Sequence, residues 1–301
     1  MNSAAWFITA FVGIAAVVGL VGTFVPVYAR WRAYQQSAYL HIDLPVRLER
    51  AVGSRLIARE RGAIVGALAL GGAAVLGFAT GVIGNFEPSL TTLFIIGAIF
   101  AGVGVGTAIA ALTGKKEVPS DRPRVARSGA ASVADYIAPI ERIGARVTVG
   151  IVIAVAVGIA VTRPAADGLL LPVAFFAVAA TLTLVLFEIA SRRIVAASQP
   201  AGSTAELVWD DAIRASVVRD LVTAPLALSV YGTIIGVFGL ANSNVGVAAA
   251  VTAYLGMGIL VAGLVVSLIV SAVSRPRRYF LDRLWPNLRW SDTADAATDA
   301  A

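Results

Sequence analysis

The most constraining feature of this chain is a run of 54 residues, 221–274, without a single Asp, Glu, Lys or Arg. Other charge-free runs cover 1–29, 63–86, 88–114, 147–162 and 168–187. A hydrocarbon core about 30 Å thick is crossed by about 20 apolar residues in a helix. None of the runs has the strand period of two or the one-sided stripe of a surface helix. Barrel strands alternate faces over roughly ten residues, whereas these blocks are apolar on every side. The longest run exceeds one crossing, and Asn242-Ser243-Asn244, after Gly239, is the natural place for it to turn. The pattern predicts an all-α integral membrane protein with seven transmembrane helices. These fall at about 4–28, 63–84, 91–113, 147–162, 168–189, 224–241 and 246–273. Composition agrees: 58% of the 301 residues are hydrophobic and 14% charged, against roughly 25% charged in an average soluble domain.

Positive charge gives a direction. With the N-terminus outside and the C-terminus cytosolic, the inner segments are 30–62, 114–146, 190–223 and 274–301. They hold 7, 7, 4 and 5 Lys or Arg, 23 of the 24 in the chain, and only Arg163 lies outside. Such a bias in loops of this length sets orientation. Arg30 and Arg32 follow the first span, whereas a cleaved signal peptide carries its positive charge before the apolar stretch. The first span therefore reads as a retained anchor. The outer links are short, with Glu87, Arg163 and Asp167 as their only charges, which excludes a folded ectodomain. The net charge of +6 reflects the inward bias and attraction to an anionic inner leaflet; no nucleic-acid partner is needed. The absence of Cys excludes disulfides and thiolate metal sites. With His41 the only histidine, a multi-His site is excluded too. No cofactor is expected.

After the anchor (1–29) the chain divides into unit one (30–113), unit two (114–190), unit three (191–273) and a cytosolic tail (274–301). Each unit has a cytosolic stretch followed by two spans, so the units would be parallel repeats. Each stretch also carries a helix-start signal: Asp43 with Pro45, Ser132 with Asp135, and Ser203 with Glu206. The last is a Ser-x-x-Glu capping box.

The stretch "STAELVWDDAIRASVVRDL", residues 203–221, stands out from the Ala, Val, Gly, Leu and Ile around it. On a helix, Trp209, Ala212, Ile213, Ser216 and Val217 share one face. Asp210, Asp211 and Arg214 lie off it at salt-bridge spacing, while Asp220 intrudes on the apolar side. An Asp-Asp-x-x-Asp motif would hold Mg²⁺ and a diphosphate, but the fifth position here is Arg214. The simplest reading is the wet side of a capped helix, with Trp209, Asp210, Asp211 and Arg214 as a candidate docking surface for a cytosolic partner. Arg47 and Arg50, in "LPVRLERAV", flank an amphipathic stripe suited to the headgroup plane, and Arg55 and Arg59 break that stripe further on. Arg277, Arg278 and Trp285 in the tail are further candidate headgroup contacts. Glu188, near the inner end of the fifth span, is expected to pair with Arg192. Three Gly-x-x-x-Gly pairs, Gly77/Gly81, Gly102/Gly106 and Gly232/Gly236, are candidates for close helix packing within the bundle or in a homo-oligomer.

Over "QPAGSTAELVWDDAIRASVVRDL" and the Ala/Val/Gly-rich spans, the chain is similar to multi-pass membrane proteins of actinobacteria to which no activity is assigned. The resemblance implies a bacterial plasma membrane and transfers no functional residues. Three roles follow from the residues. The first is the membrane-spanning subunit of a transport or export assembly working with a separate cytosolic ATPase. The second is a non-transporting anchor or regulatory protein that recruits partners. The third, an intramembrane lipid enzyme, is disfavoured because no convergent polar groups are found in the spans.

Overall fold

The computed structural model describes residues 13–14, 16–82, 88–113, 130–162, 169–199, 201–243, 251, 258 and 278–286. Regular structure among them is helical throughout. The helices are α1 (Pro26–Leu40), α2 (Val46–Ala79), α3 (Pro88–Thr113), α4 (Val133–Tyr136), α5 (Pro139–Thr162), α6 (Leu170–Ala196), α7 (Thr204–Ser243) and α8 (Tyr279–Leu284). A further helical stretch covers 16–22. Five segments, Val46–Ala79, Thr91–Thr113, Pro139–Val161, Leu170–Ala196 and Thr204–Leu240, are long and apolar enough to cross a membrane. The chain is thus a multi-pass membrane protein, helical throughout the regular structure of its described residues. These five overlap the expected second to sixth spans. The expected first span lies partly, and the seventh almost wholly, outside the described residues.

Local chemistry sets the helix boundaries. In α7 the Ser203 hydroxyl oxygen accepts the Glu206 N–H at 3.3 Å, and the Glu206 carboxylate accepts the Gly202 N–H at 2.7 Å. From that cap the helix runs unbroken past Pro225 to Ser243. The cytosolic and membrane pieces expected separately, at 205–221 and 224–241, are therefore one rod. α2 likewise joins its amphipathic start to its span. Extending a helix avoids the unpaired backbone groups of two new ends. Unit two differs. Asp135 accepts both the N–H and the hydroxyl of Ser132, at 2.9 and 2.8 Å, but α4 stops after one turn. Ala138 precedes a proline, which disfavours the helical region. Ile137 is extended, and a new helix begins at Pro139.

Glycine brings α2 and α3 together. A Cβ added at Gly66 would lie 2.0 Å from the Gly102 carbonyl oxygen, and one at Gly106 would lie 2.0 Å from that of Gly62. Gly62-x-x-x-Gly66 thus faces Gly102-x-x-x-Gly106, backbone against backbone, the approach only glycine permits. Gly232 and Gly236 on α7 serve the same end against Phe176, Val152, Val155 and Val173 of α5 and α6. Both expected pairs pack inside the bundle. Gly81, of the Gly77/Gly81 pair, does not act this way. Gly81 follows α2 with φ +76 and has nothing within 4 Å of an added Cβ, so it serves a turn that favours glycine.

Among the described residues, three apolar cores stack along the bundle. The first holds Phe78, Phe94, Val152, Val173, Phe176 and Leu228, with the Phe94 and Phe175 rings stacked at 4.1 Å. A second, around Phe187, Ala190, Val218 and Leu221, lies at the junction where the spans end. The third joins Ala33 and Leu40 of α1, Val52 and Leu56 of α2, Tyr136 of α4, Trp209 and Ala212 of α7, and Phe280 and Leu281 around α8. Segments from all four expected inner regions therefore meet in one folded cap at one end of the bundle. In the turn from α1 to α2, His41 adopts φ 55, and the His41 and Ile42 N–H groups both bond the Ser37 carbonyl.

Gly102→Ala should lower thermal stability in detergent by about 1–3 kcal/mol, because the added methyl meets backbone. Gly72→Ala, with nothing within 4 Å of its Cβ, should leave the unfolding temperature unchanged.

Candidate functional site

The cap is held together by a polar hub on the first turns of α7. Trp209 is buried, as its place on the apolar face requires, and its indole N–H donates to the Asp43 carbonyl at 3.1 Å. Asp210, Asp211 and Arg214 are also buried, at 7%, 0% and 4% exposure. This corrects the reading of these residues as a wet face and a docking surface. The side of α7 that a lone helix would show to water is covered by α2, α4, the α6–α7 link and the tail.

Each polar atom in the hub has a function in joining elements. Asp210 accepts Arg55 Nη1 of α2 at 3.0 Å, Gln199 Nε2 at 3.0 Å and Arg214 Nε at 2.8 Å. The expected four-residue Asp210–Arg214 pair is therefore present. Asp211 accepts the Tyr136 hydroxyl at 2.7 Å, Gln199 Nε2 at 2.7 Å and Trp285 Nε1 at 2.9 Å. Arg214 reaches from α7 to the end of α6, where Nη1 donates to Val195 and Nη2 to Ala197 and Ser198, at 3.0, 2.8 and 3.1 Å. The last carbonyls of a helix lack intrahelical partners, and a guanidinium both bonds them and matches the dipole. The carboxylate oxygens receive donors from several elements at once. That arrangement clasps the cap.

Several members were not visible in sequence. Arg55 and Arg59 break the stripe of α2 because they face α7: Arg55 meets Asp210, and Arg59 donates from Nε to Asp220 at 2.6 Å and also bonds Ser216. Asp220, which spoils the amphipathic pattern of α7, is Arg59's partner. Gln199 and Tyr136 carry no pattern of their own. The four-residue spacing of Arg55 and Arg59, facing acids on another helix, is the one available signal.

The other candidates divide. Arg47 and Arg50 are exposed on the cap, free to meet headgroups. Trp285 is not a lipid anchor; its polar edge turns inward to Asp211, and it packs against the cap core. Arg278 is half-buried at the start of α8, and Arg277 lies outside the described residues. Glu188 binds Arg146 at 3.1 Å, Arg142 at 3.5 Å and Arg192 at 3.8 Å. The expected Arg192 contact is the longest of the three, because Arg142 and Arg146 approach from α5. Among the described residues no group of three or more His, Cys, Asp or Glu is placed to hold a metal ion. Comparison of the chain with protein-family models, curated proteins and solved structures found no match.

Asp210→Ala leaves the buried Arg214 guanidinium without its acid and should cost about 3–5 kcal/mol, read as lost thermal stability in detergent. Trp285→Phe should cost about 1–3 kcal/mol by leaving one buried acceptor short. It should also expose the tail to protease before the rest of the chain. A double-mutant cycle of Trp285→Phe with Asp211→Ala should give a coupling of about 0.5–3 kcal/mol; strictly additive losses would remove the contact from the folded state.

Proposed function

We propose that this chain is a non-transporting membrane scaffold. Its bundle anchors, at the inner face of a bacterial plasma membrane, a rigid cap that recruits a cytosolic partner. The observation that carries this reading is the close packing of the helices among the described residues. Close-packed glycines and phenylalanines occupy the helix contacts. The buried Thr183 and Ser229 hydroxyls donate to carbonyls of their own helices, Ala179 and Pro225. A polar route for a solute would need such groups to face one another across helices.

The orientation rests on the positive charge of the segments that build the cap. α7 ends at Ser243, far from the cap, and the chain re-enters the cap at Arg278. That return supports the seventh crossing expected over 246–273.

A second reading, the membrane subunit of an ATPase-driven transport or export assembly, is favoured by the long rods. At 1.5 Å per residue, α2 and α7 measure about 51 and 60 Å, about 20–30 Å more than the hydrocarbon core. That projection is a platform on which an ATPase could dock. Any transported molecule would then pass between subunits.

Purification in mild detergent separates the two. A stoichiometric ATPase supports transport, and a different stoichiometric partner without one supports the scaffold. The cysteine-free chain makes sidedness simple to read. Ser54→Cys and Gly202→Cys, both exposed on the cap, should resist an impermeant thiol reagent in intact cells, whereas Val82→Cys should react. Labelling of the cap positions alone would invert the orientation.

A further inference from the structure

A cleft of about 480 Å³ opens where the cap meets the bundle, between the ends of α3 and α6 and the cap portions of α2 and α7. Four guanidiniums line it: Arg55, Arg59, Arg193 and Arg214. The acids they bond are Asp210, shared by Arg55 and Arg214, and Asp220, which takes Arg59. Four cations against two carboxylates leave an excess of two positive charges.

The guanidiniums differ in what they have left to give. Arg214 is buried and committed to Asp210 and to the three carbonyls at the end of α6. Arg59 is held by Asp220 and Ser216. Arg55 offers one nitrogen to Asp210 and keeps a side chain that is 40% exposed. Arg193 is exposed, and among the described residues no acid pairs with it. By covering the carbonyl end of α6, Arg214 also removes the negative pole that would repel an anion there. Asp210, already bonded by Arg55 and Arg214, and Ser198 also line the cleft, and the rest of the wall is apolar, including Ala110 and Leu112 of α3 and Ile194 of α6. Ile109 and Leu112, at 57% and 43% exposure, continue the apolar surface along α3 towards the lipid-facing side.

We infer that this cleft binds the phosphate of an anionic lipid headgroup, with Arg55 and Arg193 as the phosphate contacts and the end of α3 guiding the acyl chain. Arginine forks fit phosphate oxygens, and the apolar wall beside them distinguishes a lipid from a small soluble anion. The inference needs only that the junction lies at a membrane surface, and it holds whichever partner the cap recruits.

The test uses the full chain, extracted from nanodiscs of mixed phosphatidylglycerol and phosphatidylcholine and analysed by native mass spectrometry. The wild type should retain phosphatidylglycerol in preference. Arg193→Gln breaks no bond among the described residues, so it should fold normally by thermal shift while losing about fivefold in retention, the effect of about one surface cation. Adding Arg55→Gln should deepen the loss, and Arg47→Gln with Arg50→Gln, exposed cations outside the cleft, should cost clearly less than Arg193→Gln alone. Equal losses in both sets, or none with Arg193→Gln, would overturn the site in favour of diffuse attraction. A parallel arm adds inorganic phosphate to lipid-free detergent samples. Stabilisation abolished by Arg193→Gln, without selective phosphatidylglycerol retention, would overturn the lipid assignment and make the ligand a soluble phosphate.

Discussion

The cap depends on a charge buried where α6 ends and α7 begins. Arg214 bonds three carbonyls at and just past the end of α6 while holding Asp210 on its own helix. Buried charge is costly unless it is paired and fully hydrogen-bonded, and the surroundings meet that condition. Asp210 gains Arg55 from α2, and neighbouring Asp211 gains Tyr136 from α4 and Trp285 from the tail. One turn of α7 therefore fixes the relative positions of elements far apart in the chain. An apolar contact could hold those elements together, but it would not set their register in the same way, because hydrophobic attraction has little direction.

Below the cap a different constraint governs. Within lipid there is no gain from hiding apolar surface against apolar surface, so helices associate through close packing. The α2–α3 crossing meets this need with facing glycines, and the α5–α6–α7 contacts meet it with glycine against phenylalanine and valine. The two halves of the molecule use opposite chemistry because they stand in opposite solvents. They are joined by continuous rods: α2 and α7 carry each half's geometry into the other.

Some of the site was legible and some was not, for physical reasons. The Asp210–Arg214 pair follows from helical spacing alone, and it is present. The exposure of that pair did not follow, because a helical face is polar either when it meets water or when it meets other polar groups. Asp211 looks the same in sequence in both cases. Arg55, Arg59 and Asp220 each read as defects in an amphipathic stripe, and each defect is one side of a contact with another helix. Gly62 adjoins Arg61 at the edge of a charge-free run, so its pairing with Gly106 had no signal in the hydropathy pattern.

The amino-acid sequence by itself determined that this chain is helical and crosses a membrane repeatedly, because the free energy of placing charge and unpaired backbone in hydrocarbon depends on composition and run length. It also located the starts of α4 and α7, since capping involves residues only a few positions apart. Only the tertiary structure decided that the segments between spans form one cap with a buried ionic clasp, and which glycines meet. Those outcomes depend on contacts between residues such as Arg55 and Asp210, more than a hundred positions apart, whose partners are chosen by packing and leave no local pattern behind.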